Sequence, residues 1–308
     1  MTASGAPARE EILKTADGTP LFVRDWSPAA DTATAGAILL MHGLGEHCGR
    51  YAHVARFFTE RGYFVRGYDH RGHGRSGGAR GDVPDHEAIL RDAELVLDDF
   101  MRPGGDAAVG GRLPLLFGHS MGGLFAARFA TARLAPLSGL ILSSPALALP
   151  LSGGQKILLK MLGAIAPGLA VPNGLQTRYL SHDPAVEAAY KTDPLVHGKI
   201  SARLLRSMLE AIEFAQAQAA TLAIPTLLLM AGDDRLVDAN GSRAFFPRLA
   251  PGVGTLHVYP DWYHEIFNER GAERAFADLE DWLTAHAFLA QAAPAGRAAT
   301  PAAMAIST

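Results

Sequence analysis

The chain of 308 residues has a single cysteine, Cys48. That excludes an internal disulfide and any cysteine-rich zinc site, and it fits a reducing compartment. Positive charge is not in excess either: 28 Lys and Arg stand against 31 Asp and Glu, for a formal net charge of -3. Nucleic acid is therefore not an expected partner, because neutralising phosphates takes a concentrated basic patch. No apolar run approaches the roughly 20 residues of a membrane-spanning helix. The first residues, Met1 to Glu11, hold neither a basic stretch nor an apolar run, and are not expected to act as a secretory signal. No internal repeat is visible. What is abundant is apolar residues, 48% against 19% charged, enough for a large core in one large domain or two small ones.

The apolar residues alternate between two patterns. Short apolar or alternating runs at Glu11 to Ala16, Pro20 to Trp26, Ala35 to Met41, Tyr63 to Tyr68, Leu137 to Leu142, Pro225 to Ala231 and Thr255 to Tyr259 read as strands. The first two flank Asp17-Gly18-Thr19 and make a hairpin. Helical spacing marks Tyr51 to Arg61, Glu87 to Met101, Asn240 to Leu249 and Gly271 to Ala287, the last with Phe276, Leu279, Trp282 and Leu283 inward. Strand and helix in turn predict an α/β fold, a mostly parallel central sheet with helices on both faces. In such sheets the functional crevice lies beyond the carboxyl ends of the strands. The alternation stops near Pro145 and resumes at Ile224. The insert shows helical spacing at Ile157, Leu158, Met161, Leu162 and Ile165 and again from Ala202 to Ala215, with no obvious strand. It is read as a mainly helical cap over the strand ends, the competing reading being two or three further helices packed on the sheet. The expected division is core at 10–145 and 224–290, cap at 146–223, and disordered ends at 1–9 and 291–308, the latter rich in Ala, Pro, Gly, Ser and Thr.

Chemistry concentrates at Gly118-His119-Ser120-Met121-Gly122, a G-x-S-x-G match. A buried-strand pattern, Leu113 to Phe117, precedes it and an Ala-rich helix pattern follows, the context of a nucleophile elbow. Glycines on either side let strand and helix approach closely and lift the Ser120 hydroxyl clear above a helix N-terminus. A serine hydroxyl needs a base, and the base needs an orienting carboxylate, expected in the chain order Ser, acid, His. Asp233, Asp234 and Asp238 compete in the loop after the strand ending at Ala231, Asp234 being favoured. His264 follows the last strand and precedes the last helix. An oxyanion site needs backbone donors: Met121, after the serine, and Leu44 in the flexible His42-Gly43-Leu44-Gly45 stretch.

Other motifs fail their context. Gly72 to Gly77 matches G-x-G-x-x-G, but no helix start follows, so the dinucleotide reading is set aside for a tight loop near the site rim. His264-Glu265 begins H-E-x-x-H, but Asn268 stands where the second histidine is needed. His70 and His73 have no third ligand nearby in sequence and are expected in a solvated loop.

His42 to Tyr51 (HGLGEHCGRY), Tyr68 to Ser76 (YDHRGHGRS), Gly118 to Gly123 (GHSMGG), Asp233 to Asp238 (DDRLVD) and Tyr263-His264 together resemble the monoacylglycerol lipase group of α/β-hydrolases, which includes lysophospholipase-like bacterial esterases. The likeness covers roughly residues 10 to 287. It implies the α/β-hydrolase fold, a Ser120–Asp234–His264 triad, oxyanion donors at Leu44 and Met121, a helical cap and an acyl-chain tunnel. It puts Tyr190 where a tyrosine lies near the glycerol head group, or else in cap packing, and adds His119 and Glu46 as substrate-binding positions. Phe267 departs from the mammalian pattern, which has a second histidine there. The activity implied is hydrolysis of monoacylglycerol-like esters, cytoplasmic, without metal or organic cofactor. The partners are a small acyl ester and, through the apolar stretch Leu151 to Ala170, transient contact with a membrane surface. The alternatives are a short-chain carboxylesterase, an acyltransferase or aminopeptidase of the same fold, and a non-catalytic binding module.

Overall fold

The structure, a computed structural model, describes residues 8–289 except 106, 108–110 and 152, with the side chains of 155–160 also outside the description. The expected loose ends at 1–7 and 291–308, and the side chains of Ile157 and Leu158, lie outside it. Arg9, expected in the disordered start, already belongs to the first strand.

Eight strands form one sheet in the order β1-β2-β4-β3-β5-β6-β9-β10. β1 (Arg9–Lys14) and β2 (Pro20–Trp26) make the antiparallel hairpin, and β2 joins β4 (Tyr63–Tyr68) antiparallel. β3 (Gly36–Met41), β5 (Leu115–His119), β6 (Gly139–Ser143), β9 (Thr226–Ala231) and β10 (Gly254–Tyr259) continue in parallel with β4. β3 and the middle residues of β5, β6 and β9 are apolar on both faces because both faces are covered. Ile38, Leu40, Phe117, Ile141, Leu227 and Leu229 face α1 (Ala52–Thr59) and α8 (Glu273–Ala285). Their sequence neighbours Leu39, Met41, Leu116, Leu142 and Leu228 face α2 (Ala88–Phe100) and α3 (Met121–Ala132). Each large side chain buried this way contributes about 1.5–3 kcal/mol.

From β3 the chain moves to β4 on one side and returns to β5 on the other. The strand order reverses at this point, and a crevice opens beyond the carboxyl ends of β3 and β5. Met41 pairs with Gly118 across them, so His42-Gly43-Leu44 and Ser120 leave the sheet at one level.

The insert between β6 and β9 is mainly helical, and it adds a second sheet in which β7 (Ala170–Pro172) and β8 (Lys199–Ser201) pair antiparallel. Three-residue strands are too short to show a period. α4 (Gly153–Ile165) and α5 (Pro184–Thr192) precede α6 (Ala202–Gln218), whose Leu204, Met208, Ala211 and Ala215 join the core cluster of α2 and α3. The stretch before α6 is tied to the core loops. His197 N–H donates to Gly45 O at 2.8 Å, Ser201 N–H to Gly81 O at 2.8 Å, and Glu265 N–H to Leu180 O at 2.8 Å. His47 Nε2 meets Asp193 Oδ2 at 2.8 Å. On the α4 side, Met161, Ile165 and Leu169 are exposed by 57%, 80% and 54%. Among the described residues no helix is long and apolar enough to cross a membrane.

Candidate active site

Ser120 alone makes the turn from β5 to α3, at φ 53° and ψ −119°. This is strained for a residue with a side chain and persists only where the surroundings dictate it. The glycines around it have no room to be anything else. A Cβ on Gly118 would lie 2.4 Å from the Gly122 carbonyl oxygen, and one on Gly122 would lie 2.2 Å from that of Met41. The Ser120 N–H donates to Ser143 O at 3.0 Å, and its carbonyl accepts from Leu124 and Ala146 at 2.9 and 3.0 Å. Met121 opens α3, and among the described residues its N–H has no acceptor. Unpaired N–H groups and the helix dipole favour negative charge at this end.

The loop after β3 is held on all sides. The His70 N–H donates to His42 Nε2 at 2.9 Å, which places the His42 proton on Nδ1, 2.7 Å from the Gly43 carbonyl oxygen. A peptide plane has its C=O and N–H pointing opposite ways, so anchoring the Gly43 carbonyl aims the Leu44 N–H away from His42. That N–H has no acceptor among the described residues. Gly43 in turn lies against the serine: a Cβ on it would be 3.2 Å from Ser120 Cβ. His70 and His73, expected in a solvated loop, are both 0% exposed. Their rings pack on His42 at centroid distances of 4.3 and 5.4 Å. The loop carrying them folds inward because Asp69 accepts the N–H groups of Cys48 and Arg75 at 2.9 and 2.8 Å. Burial pushes His42 and His73 well below the ordinary histidine value and His70 to about 4. Among the described residues no group of three or more His, Cys, Asp or Glu is placed to hold a metal ion.

At the ends of β9 and β10, Asp234 Oδ2 lies 2.7 Å from His264 Nδ1. Its other oxygen accepts the N–H groups of Leu236 and Val237 at 2.9 and 3.1 Å. Both side chains are buried. Asp233 instead pairs with Arg235 at the surface, and Asp238 accepts the Asn240 N–H, so of the three candidate acids it is Asp234 that meets His264. Burial alone would lower the His264 value and raise that of Asp234. Their mutual attraction and bond outweigh it, so His264 is raised and Asp234 lowered. The His264 ring lies 4.7 Å from that of His119, the residue before Ser120.

The expected substrate positions divide. His119 is buried, with Nδ1 3.1 Å from Ser143 Oγ, and burial drops it to about 3. Both oxygens of Glu46 are engaged by the chain itself. Oε1 accepts the Gly43 N–H at 2.6 Å and the Tyr51 hydroxyl, and Oε2 pairs with Arg50. Tyr190 reaches from α5 over Arg50, whose Cζ is 4.8 Å from the ring centroid. Phe267 is buried against Phe117 and Phe276. Two residues were not singled out from sequence: Arg50 and Glu265, joined at 2.7 and 2.9 Å. Their signal was there in the four-residue step from Glu46 to Arg50 and in a carboxylate directly after the favoured histidine.

Residues 32–271 match the family described as Serine aminopeptidase, S33. A monoacylglycerol lipase of Mycolicibacterium smegmatis is 39% identical over 85% of this chain and 91% of its own length. A phospholipase of Bacillus subtilis is 34% identical over 82% of this chain and 95% of its own. Among solved structures, the monoacylglycerol lipase of Paleococcus ferrophilus superposes with a TM-score of 0.77 at 34% identity, covering 86% of this chain and 99% of that one. With this extent of match, and with the strained serine turn and the Asp234–His264 pair at neighbouring strand ends, the chain belongs to this family of α/β-hydrolases and is an ester-hydrolysing serine hydrolase.

Proposed function

We propose that Ser120 is the nucleophile, His264 the general base and Asp234 the orienting acid, with the N–H groups of Leu44 and Met121 as oxyanion donors. The substrate we propose is a monoacylglycerol-like ester. The observation that carries this is the buried 2.7 Å bond between Asp234 and His264 Nδ1, which leaves Nε2 as the nitrogen able to take a proton. The Ser120 oxygen attacks the ester carbonyl as its proton passes to His264. Negative charge gathers on the carbonyl oxygen, where two fixed N–H dipoles stabilise it. The alcohol leaves with the proton from His264. Water then attacks the acyl-enzyme through the same base, and the acid is released with Ser120 restored. No step needs a metal or an organic cofactor.

A monoacylglycerol-like substrate is supported by the names of the relatives, two monoacylglycerol lipases and a phospholipase. An aminopeptidase, which the family description names, would need a carboxylate free to hold an amino terminus. Glu46 and Glu265 beside the oxyanion loop are both taken by Arg50. We take residues 146–201 as the cap and α6 as part of the core. The exposed Met161, Ile165 and Leu169 support transient contact of the α4 side with a lipid surface. The lone buried Cys48 supports a reducing compartment.

The test is labelling with a fluorophosphonate, competed by monoacylglycerols of graded chain length. The wild type is expected to label once, with protection strongest for medium or long chains, and Ser120→Ala to lose both labelling and turnover. Turnover retained by Ser120→Ala refutes the nucleophile, and protection that favours acetyl or butyryl esters turns the reading to a short-chain carboxylesterase.

A further inference from the structure

Arg50 belongs to no step of the mechanism above, yet it is the point where three separate parts of the active site meet. It lies in a single turn of 3-10 helix, Cys48–Tyr51, directly after the oxyanion loop. Its side chain is only 12% exposed, between carboxylates that are 4% and 5% exposed. One nitrogen, Nη1, serves both Glu46 and Glu265 Oε1, the latter at 2.7 Å, while Nη2 takes Glu265 Oε2 at 2.9 Å. Behind Glu46 stands the Gly43 N–H at 2.6 Å, one residue before the Leu44 donor. Behind Glu265 stands His264 itself, with Asn268 Nδ2 steadying Glu265 Oε2 at 2.9 Å. On the face of the guanidinium lies Tyr190 of the cap, at 4.8 Å.

We propose that Arg50 is a positioning residue for hydrolysis: one planar guanidinium sets the separation between the oxyanion loop, through Glu46, and the loop of the general base, through Glu265, with Tyr190 seated on its face. The inference rests on the roles assigned above to Leu44 and His264. Its physical basis is the geometry of the group. A guanidinium presents five N–H donors in a rigid fork, so two carboxylates bound to it are fixed in mutual distance and angle; an ammonium is a point charge that fixes neither. The distance that matters is the one between the donor facing the oxyanion and the base that moves the proton, and a misplacement of about 1 Å there costs on the order of 10² in rate. The assignment also gives Glu46 a different part from substrate contact. Its carboxylate has no oxygen to spare, and it passes the position of Arg50 to Gly43.

Removing one member of a buried charge cluster leaves the others uncompensated, and such a variant can simply fail to fold. Two variants therefore carry the test. Arg50→Lys keeps the charge and loses the fork. The triple replacement Glu46→Gln, Arg50→Met, Glu265→Gln removes all three charges together at similar volume. Each is assayed on p-nitrophenyl esters, with rates expressed per site titrated by fluorophosphonate, so that unfolded protein does not count. The expected result for both is a kcat lowered by about 10–10² with KM within about twofold, and a melting temperature for the triple variant close to wild type. Glu46→Gln and Glu265→Gln, made singly and together, are expected to lose less in combination than the product of their separate losses, because both act through Arg50. Wild-type kcat per titrated site in either Arg50 variant overturns the proposal, as does a loss confined to KM or fully multiplicative losses for the two Gln variants. Failure of the wild type to label at all would instead overturn the hydrolase mechanism on which the proposal rests.

Discussion

The two sides of Ser120 are both lined by buried histidines, and they treat them oppositely. On the side of the oxyanion loop, His42, His70 and His73 are fully buried with no carboxylate bonded to their rings, and burial holds them neutral. On the other side His264 is 3% exposed, and its value is raised. The difference is one carboxylate at 2.7 Å. Burial alone makes a histidine a fixed donor or acceptor, useful for holding a loop. Burial with an aspartate bonded to the ring favours the charged form, which the general-base role proposed for His264 requires. His119 stands between the two, 4.7 Å from the His264 ring, and falls with the neutral set.

The comparison breaks most completely if the carboxylate is removed. Asp234→Asn should leave His264 as neutral as its neighbours and in the wrong tautomer, with a loss of about 10⁴ in kcat. A steady-state assay on a p-nitrophenyl ester that finds less than a tenfold loss would show that Asp234 is not the partner that matters.

Next in size is damage to the other side. A Cβ on Gly43 would lie 2.7 Å from Glu46 Oε1 and 3.2 Å from Ser120 Cβ, so Gly43→Ala must shift the loop that carries the Leu44 N–H. Loss of one oxyanion donor is worth about 10²–10³ in kcat. A kcat within twofold of wild type would remove Leu44 from the mechanism.

The third prediction sets the two groups of histidines against each other in stability. An unfolded chain takes up protons on His42, His70, His73 and His119 below about pH 6.5. The folded chain resists, down to about 4 for His70 and about 3 for His119. Their contribution is thus present above pH 6.5 and lost as the pH falls, at about 1.4 kcal/mol per pH unit for each such group. His264 acts in reverse: its raised value favours the fold at low pH, and that contribution is lost as the pH rises through the folded value. These four, joined by His53 and His197, which burial also lowers, outweigh His264 and predict a urea midpoint at pH 5 clearly below that at pH 7. Equal midpoints would mean that the cluster is protonated within the fold.

The smallest effect sharpens the position of His119. With Nδ1 on Ser143 and a value near 3, it is a spacer of the neutral set. His119→Asn, which retains a polar partner for Ser143, should change kcat and KM by no more than about threefold, the equivalent of one neutral hydrogen bond. A KM rise of tenfold or more would return it to the substrate contacts.

The alternation of strands and helices was readable because the middles of β3, β5, β6 and β9 are apolar runs and α1, α2 and α8 each keep one apolar face. β4, read from sequence as Tyr63 to Tyr68, has those bounds in the fold, and α2 differs by one residue at each end. The serine turn was readable because only glycine fits at 118 and 122, and that requirement is written in the residues themselves. What was not readable depends on distant partners. Nothing local marks His70 and His73 as buried, since their place is decided by Asp69 reaching Cys48 in another loop. The same holds for Arg50, whose partner Glu265 is 215 residues away. β7 and β8 exist only because two short extended pieces meet.

The φ of 53° at Ser120 has a consequence beyond chemistry. A side-chain-bearing residue held in such a conformation stores about 1–3 kcal/mol of strain, a sizeable part of the 5–15 kcal/mol by which a protein is ordinarily stable. Thermal tolerance and turnover therefore pull against each other at this position. Mutational drift towards glycine at the turn would relieve the backbone and harden the fold, and it would do so by erasing the hydroxyl proposed above as the nucleophile.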